Sequence, residues 1–183
     1  MPTLRLDPDH TAIVLVDVQE RLVPAMHNAE PLVRQVGRLL DAAAVLDLPV
    51  LVTEQYPDGL GQTMPALASH VARSVCRHDK TRLSACIGPI RDELARLQAR
   101  CVLVAGLEAH VCVAQTCLDL LEQGYLTGVV ADATGSRNAY DREIGLQRLF
   151  QAGVMPLTVE SAVLELLGDA SHDKFRDIHR IIK

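Results

Sequence analysis

Short apolar runs alternate with segments of helical periodicity along the whole chain. Runs such as residues 12–16 are apolar at every position, which is typical of parallel strands covered on both faces. Between the runs, apolar residues recur at the spacing of one helix face. Six strands joined by helical crossovers predict an α/β fold, a three-layer α/β/α sandwich with a six-stranded, mostly parallel Rossmann-like sheet. No repeat or linker divides the 183 residues, so we expect one domain over residues 1–183.

The predicted strands cover residues 11–18, 49–53, 73–77, 100–106, 126–131 and 154–159. Longer helices are predicted over residues 31–46, after Ala109, and from Asn138 to about Phe150. Residues 57–70 are rich in Pro and Gly and are expected to form an irregular segment beside a cleft. The terminal helix from Ser171 has one apolar face, which could pack on its own sheet or between subunits.

Cys112 lies where a buried strand is expected to turn into a helix. Unpaired N–H groups at a helix start carry partial positive charge, which lowers the pKa of a thiol and offers donors to an oxyanion. This is a suitable place for the nucleophile of a cysteine hydrolase. A free cysteine is also often an ordinary core residue, so position alone leaves both interpretations open.

Two other predicted strands end near residues that could assist a thiol. Asp17 closes an apolar strand, and Lys80 follows the short strand at residues 73–77. The ligand crevice of an open α/β sheet lies outside the carboxyl ends of its strands. A carboxylate there can act as base toward the thiol, and an ammonium can hold both groups ionised. The alternatives are a helix cap for Asp17 and a solvated surface charge for Lys80.

Segments at these positions resemble the isochorismatase-like (cysteine hydrolase) family. The resemblance is carried by Val16–Gln19, by Lys80 with Ser84–Ala85, and by Gly106–Val113. Residues 53–61 and 132–138 are similar to the branch known as isochorismatase domain-containing proteins.

This resemblance implies a catalytic triad of Asp17, Lys80 and Cys112. It also implies a cis peptide bond between Glu108 and Ala109, although no proline is present there. Such a bond would turn the Ala109 N–H toward the Cys112 sulfur, so that Ala109 and Cys112 form the oxyanion hole through their backbone. Lys80 and the helix start are expected to lower the pKa of the thiol. Family members are often dimers or larger, so a homo-oligomer is expected.

The triad favours hydrolysis of a small amide, carbamoyl or ureido C–N bond through a thioester intermediate. The alternative is a non-catalytic redox-sensing or binding protein on the same fold, because a cysteine at a helix start also suits a thiol sensor. We expect the wall of the substrate pocket among a set of five residues, each of which could instead be structural support or surface: Gln19, Gln55, Tyr56, Leu83 and His110.

Composition bounds the partners and the compartment. The seven histidines include no metal-binding pair, and residues 54–59 lack the histidine found in nicotinamidase-like metal sites, so no metal and no other cofactor is expected. Five cysteines without a Cys-x-x-Cys pair favour a reducing, cytoplasmic location. A net charge of −5 without a basic run argues against nucleic acid, and no apolar run is long enough to cross a membrane.

Overall fold

The computed structural model describes residues 5–183, which form an α/β structure around one six-stranded sheet. The strands are β1 (Thr11–Val16), β2 (Val50–Gln55), β3 (Cys76–Lys80), β4 (Cys101–Leu107), β5 (Leu126–Gly135) and β6 (Met155–Leu157). The strand order is β3-β2-β1-β4-β5-β6, and each adjacent pair is parallel. The predicted architecture is therefore confirmed.

Helices cover both faces of the sheet and complete the three layers. The helices are α1 (Ala29–Leu46), α2 (Pro57–Leu60), α3 (Ala68–Val71), α4 (Gly88–Arg96), α5 (Cys112–Glu122), α6 (Ala139–Gln151), α7 (Val159–Leu167) and α8 (Phe175–Ile182). The apolar faces of α1, α7 and α8 pack into one core cluster, whereas those of α4, α5 and α6 pack into the other. Short 3₁₀ turns occur at Pro8–His10, Val23–Ala25 and Pro65–Leu67.

The terminal helix packs on its own chain. It begins at Phe175 rather than Ser171, and its Ile178 is fully buried. Helix α8 contacts α1 and α7, which lie on the same side of the sheet. The sequence predicted that this helix packs either within its own chain or between subunits, and the structure shows the packing within the chain.

Several strand boundaries differ from the predicted ones. Strand β3 covers Cys76–Lys80 instead of residues 73–77, so Lys80 ends this strand and does not follow it. Two further differences have local reasons. Strand β1 ends at Val16 because Asp17 leaves the extended conformation with φ of 55°. Strand β5 continues to Gly135, past the polar Asp132, where the register with β4 shifts. The Asp132 carboxylate accepts hydrogen bonds from the Val159 N–H at 2.8 Å and from Gln35 at 3.2 Å, so a charged residue can be accommodated inside the strand.

The strand order reverses between β1 and β4, and a glycine allows these two central strands to approach. Gly106 has φ of +135°, and a Cβ added there would lie 2.1 Å from the carbonyl oxygen of Val16. No other residue fits this backbone without a shift of one strand. The carboxyl ends of β1 and β4 therefore border a crevice at the point of strand reversal, where ligands bind in open α/β sheets.

Candidate active site

Asp17 lies at the carboxyl end of β1, with both carboxylate oxygens hydrogen-bonded by neighbouring strands. The Lys80 ammonium donates to Oδ2 at 2.7 Å, and the Thr53 hydroxyl donates to Oδ1 at 2.9 Å. The side chains of Asp17 and Lys80 are each only 1% exposed. Burial raises the pKa of Asp17 above its usual value, while the charge of Lys80 and the two hydrogen bonds oppose this rise. The result is a fixed carboxylate that is a stronger base than an exposed one.

Lys80 is the last residue of β3 and has acceptors on several sides. Besides Asp17, its ammonium donates to the Gln55 side-chain oxygen at 2.7 Å. It also donates to the carbonyl oxygens of Arg82 and Leu83, each at 3.1 Å. These contacts fix the Lys80 ammonium against Asp17 and join the ends of β1, β2 and β3 at one place.

Cys112 is the first residue of α5, as the sequence predicts for the strand-to-helix turn. The Val111 and Val113 N–H groups both donate to the Glu108 carbonyl, at 2.9 and 3.2 Å. Within residues 5–183, the Cys112 N–H has no such backbone acceptor, so it remains available to a ligand. The Thr116 hydroxyl donates to the Cys112 carbonyl at 2.6 Å, which fixes the first turn of the helix.

The expected lowering of the Cys112 pKa is not what the structure gives. Burial and, after it, the negative charge of Asp17 raise the pKa of this thiol to about 12. Lys80 lowers the pKa of Cys112, but burial and the carboxylate of Asp17 together outweigh it. Cys112 is therefore a neutral thiol next to a carboxylate, not a preformed thiolate.

The peptide bond between Glu108 and Ala109 is trans, which corrects the expected cis bond. Glu108 adopts φ of 61°, so a left-handed residue turns the chain between β4 and α5. The Ala109 N–H donates to the Gly135 carbonyl at 2.9 Å and so extends the pairing of β4 with β5. The prediction that Ala109 contributes to an oxyanion hole is therefore wrong. Of the two predicted backbone donors, only the Cys112 N–H remains.

A cleft of about 300 Å³ opens above Asp17 and Cys112. Its wall is mainly aliphatic, with a few polar groups at the floor and rim. The lining residues are Asp17, Leu22, Gln55, Leu60, Leu83, Leu107, Glu108, Val111, Cys112 and Arg137. Two of the five predicted pocket residues, Gln55 and Leu83, are among them.

The other three predicted pocket residues lie outside this lining. Gln19 is fully buried, donates to the carbonyls of Gln55 and Gly61 at 3.0 and 2.6 Å, and thereby braces the loop after β2. Tyr56 is 56% exposed. His110 lies 3.1 Å from the Ser136 hydroxyl and 3.7 Å from a Glu108 carboxylate oxygen. The structural or surface interpretation applies to these three.

Sequence reasoning missed Thr53, the side chain of Glu108, and Arg137. Thr53 lies near the carboxyl end of β2, beside β1, and only the order of the strands in the sheet reveals this position. Arg137 lies in residues 132–138, which carried the family resemblance but received no role. Its guanidinium donates to Glu108 at 3.1 Å, so the rim of the cleft carries a second ion pair.

Two further features bear on ligands and location. Within residues 5–183, no three His, Cys, Asp or Glu side chains are grouped so that they could hold a metal ion. None of the helices in that part of the chain is long and apolar enough to cross a bilayer.

Comparison of the sequence with known proteins agrees with this architecture. The isochorismatase domain matches residues 11–161. Isochorismatase domain-containing protein 2A of Mus musculus is 40% identical over 98% of this chain and 85% of its own length. Isochorismatase domain-containing protein 1 of Salmo salar is 41% identical over 97% of this chain, which spans only 62% of that longer protein.

Solved structures share the fold over nearly the whole chain. The MAR1 ribonuclease of Caenorhabditis elegans has a TM-score of 0.93 and 39% identity over 97% of this chain and 92% of its own. YcaC of Pseudomonas aeruginosa, solved with covalent acrylamide, has a TM-score of 0.91 and 25% identity over 100% and 92%. YcaC of Escherichia coli, an octameric hydrolase of unknown specificity, has a TM-score of 0.88, with 24% identity over 100% and 96%. From its sequence, its fold and these relatives, the chain belongs to the isochorismatase-like hydrolase family.

Proposed function

We propose that this chain hydrolyses a C–N bond of a small amide, carbamoyl or ureido compound, with Cys112 as nucleophile. The observation that carries the proposal is the placement of a buried carboxylate, fixed on both oxygens, beside a thiol at the floor of one cleft. Asp17 is the base, and Lys80 positions it and compensates its charge.

The first half-reaction transfers the acyl group to sulfur. The Cys112 sulfur forms a bond to the carbonyl carbon as its proton passes to Asp17, because a thiol with a pKa raised to about 12 is not ionised beforehand. The Cys112 N–H donates to the developing oxyanion. The C–N bond then breaks as Asp17 returns the proton to the leaving nitrogen, which gives a thioester and an amine or ammonia.

The second half-reaction releases the acyl group. Water attacks the thioester carbonyl as Asp17 takes one of its protons. The C–S bond breaks, the sulfur recovers the proton from Asp17, and the acyl group leaves as a carboxylic acid. The net reaction consumes one water, and both side chains return to their starting states.

The redox-sensing alternative has less support in this geometry. A thiol sensor needs a low-pKa, accessible thiolate. Burial and Asp17 instead raise the pKa of Cys112. A sensor would also have no use for a base fixed by Thr53 and Lys80.

A ribonuclease is the second candidate, because the relative from Caenorhabditis elegans is a MAR1 ribonuclease. RNA binding relies on cations that face the phosphates. In this cleft, Lys80 is paired with Asp17 and Arg137 with Glu108. We therefore keep the prediction that nucleic acid is not the substrate, and the assay below includes RNA.

We also propose that the chain is a homo-oligomer, as family members often are. The octameric YcaC of Escherichia coli illustrates an assembly on the same fold. Light scattering coupled to size-exclusion chromatography would decide this, since a molar mass of one chain would refute it.

The test of the proposed function is a hydrolysis assay with small amides, carbamoyl compounds and ureides. We expect turnover by the wild type and none above background by Cys112→Ala and Asp17→Asn. Cys76→Ala is the matched control, because Cys76 begins β3 at the opposite end of the strand from Lys80 and should not be needed. Turnover of RNA but of no C–N substrate would replace the proposal with the ribonuclease.

A further inference from the structure

The wall of the cleft is aliphatic, which bears on the kind of acyl group it can hold. Five lining side chains are hydrocarbon, and no aromatic ring of residues 5–183 lines the cleft. The five are Leu22, Leu60, Leu83, Leu107 and Val111. Such a wall gains free energy from apolar contact area and offers no stacking surface to a planar ring. A volume of about 300 Å³ is at the small end of ligand pockets.

The ionised groups of the cleft compensate each other in pairs. Lys80 lies 2.7 Å from Asp17, and Arg137 lies 3.1 Å from Glu108. A charged substrate would have to compete with one of these pairs for its partner. A neutral substrate leaves both intact, so the cleft favours uncharged molecules.

The segment around Leu60, the last residue of α2, is held by side-chain hydrogen bonds in the absence of a ligand. The Gln19 amide donates to the Gly61 carbonyl at 2.6 Å, and the Arg21 guanidinium donates to the Gly59 carbonyl at 2.8 Å. The buried Glu54 carboxylate accepts from both the N–H and the hydroxyl of Thr63, at 2.7 and 2.6 Å. A wall held in this way can discriminate between substrates, because its shape does not adapt to each of them.

From these observations we propose that the preferred substrates are neutral aliphatic amides of a few carbons, with the acyl chain against the leucine wall. Aromatic amides and amides with an ionised group are disfavoured. This inference rests on the proposed function and narrows its substrate class.

The experiment compares kcat/KM for acetamide, propionamide and butyramide with that for benzamide and for the anion succinamate. Each added methylene should raise kcat/KM about fourfold, so butyramide should exceed acetamide about 15-fold. Benzamide and succinamate should fall below butyramide. No gain with chain length, or a higher value for either of the last two, would overturn the proposal.

Two substitutions at the rim should shift the charge preference in opposite directions. Glu108→Gln leaves Arg137 without its carboxylate, so the ratio of succinamate to butyramide turnover should rise. Arg137→Gln leaves Glu108 uncompensated, so that ratio should fall. A ratio is insensitive to the fraction of active protein. If both variants keep the wild-type ratio, the paired charges do not set the preference and that part of the proposal is wrong.

Leu60→Ala tests the wall itself. This substitution should reduce the gain in kcat/KM from acetamide to butyramide severalfold. The control Leu164→Ala on α7 should keep the gain of the wild type. An unchanged gain in Leu60→Ala would refute the role of this leucine.

A binding measurement separates failure of this inference from failure of the proposed function. Should no amide be turned over, butyramide must still protect Cys112 from alkylation by acrylamide better than benzamide or succinamate does. Equal protection by all three would overturn the substrate class, whatever reaction the site performs.

Discussion

The two halves of the candidate site are built in different ways. The base half, Asp17 with Thr53 and Lys80, is held by side-chain hydrogen bonds that cross from β2 and β3 to the end of β1. The nucleophile half, Glu108 to Cys112, is held by its backbone, through a left-handed Glu108 and N–H groups that donate to the Glu108 and Gly135 carbonyls. The identity of the side chains therefore determines the geometry of the base half, whereas the backbone conformation determines the geometry of the nucleophile half. Different kinds of substitution should disable the two halves.

The largest effect is expected from Lys80→Met in the base half. Asp17 would keep a buried carboxylate without its cation, so its already raised pKa would rise further and less of the base would be ionised at a given pH. We expect kcat/KM to fall by about 10³-fold or more, and the free energy of unfolding to fall by about 3–5 kcal/mol. Amide hydrolysis and denaturant unfolding measure the two effects.

The matched control is Lys174→Met, which removes a lysine whose partner Asp47 is largely exposed. An exposed pair contributes only about 0–1 kcal/mol, so this variant should be close to wild type. Equal losses of activity and stability in the two lysine variants would mean that the buried pair has no special role.

The nucleophile half should be most sensitive to a change of backbone position. Gly145 of α6 packs against this turn, and an added Cβ would lie 2.8 Å from the His110 Cα and 2.9 Å from its nitrogen. Gly145→Ala should displace the turn by a fraction of an ångström and lower kcat/KM about 10–100-fold, with KM little changed.

Gly37→Ala on α1 serves as its control, since the added Cβ would meet only a Leu67 methyl at an ordinary 3.9 Å. That variant should keep its activity. Full activity in Gly145→Ala would contradict the view that backbone placement limits this half of the site.

A smaller effect, visible mainly in the pH profile, is expected from Thr53→Val. Asp17 acts as a carboxylate, so activity is lost as the pH falls through its pKa, which burial places above the usual 3.8. Loss of the Thr53 hydrogen bond raises that pKa further and moves the acid limb of kcat/KM to higher pH. Plateau activity should fall about tenfold or less.

Thr127→Val is a fitting comparison, because Thr127 is equally buried but lies at the start of β5. Its acid limb should coincide with that of the wild type. If the limb of Thr53→Val also stays in place, Asp17 is not the group that titrates.

Sequence patterns predicted the base half better than the nucleophile half. The order of apolar runs and helical segments was enough for the six-stranded sheet, and Asp17 and Lys80 could be placed at its carboxyl edge from the strands they follow. The role of these residues remains a proposal. Thr53 was missed because its role depends on which strand lies beside β1.

The errors in the nucleophile half concern conformation and electrostatics. The Glu108–Ala109 bond is trans and Glu108 is left-handed, and the residue types alone do not distinguish this conformation from one with a cis bond. The pKa of Cys112 depends on how deeply the thiol is buried and on where the charge of Lys80 acts. Neither quantity is visible in a strand-to-helix pattern.

The central claim is that Asp17 takes the proton of a neutral Cys112 thiol during attack. The direct measurement is the rate of acrylamide addition to each cysteine, followed by peptide mass spectrometry in the wild type and Asp17→Asn. Removing the charge of Asp17 lowers the pKa of Cys112, so a mechanism that needs only thiolate predicts an unchanged or faster reaction in the variant. Our account predicts that Asp17→Asn slows Cys112 by about 100-fold at neutral pH and leaves Cys76 unaffected. Addition to Cys112 that is as fast in Asp17→Asn as in the wild type would contradict it.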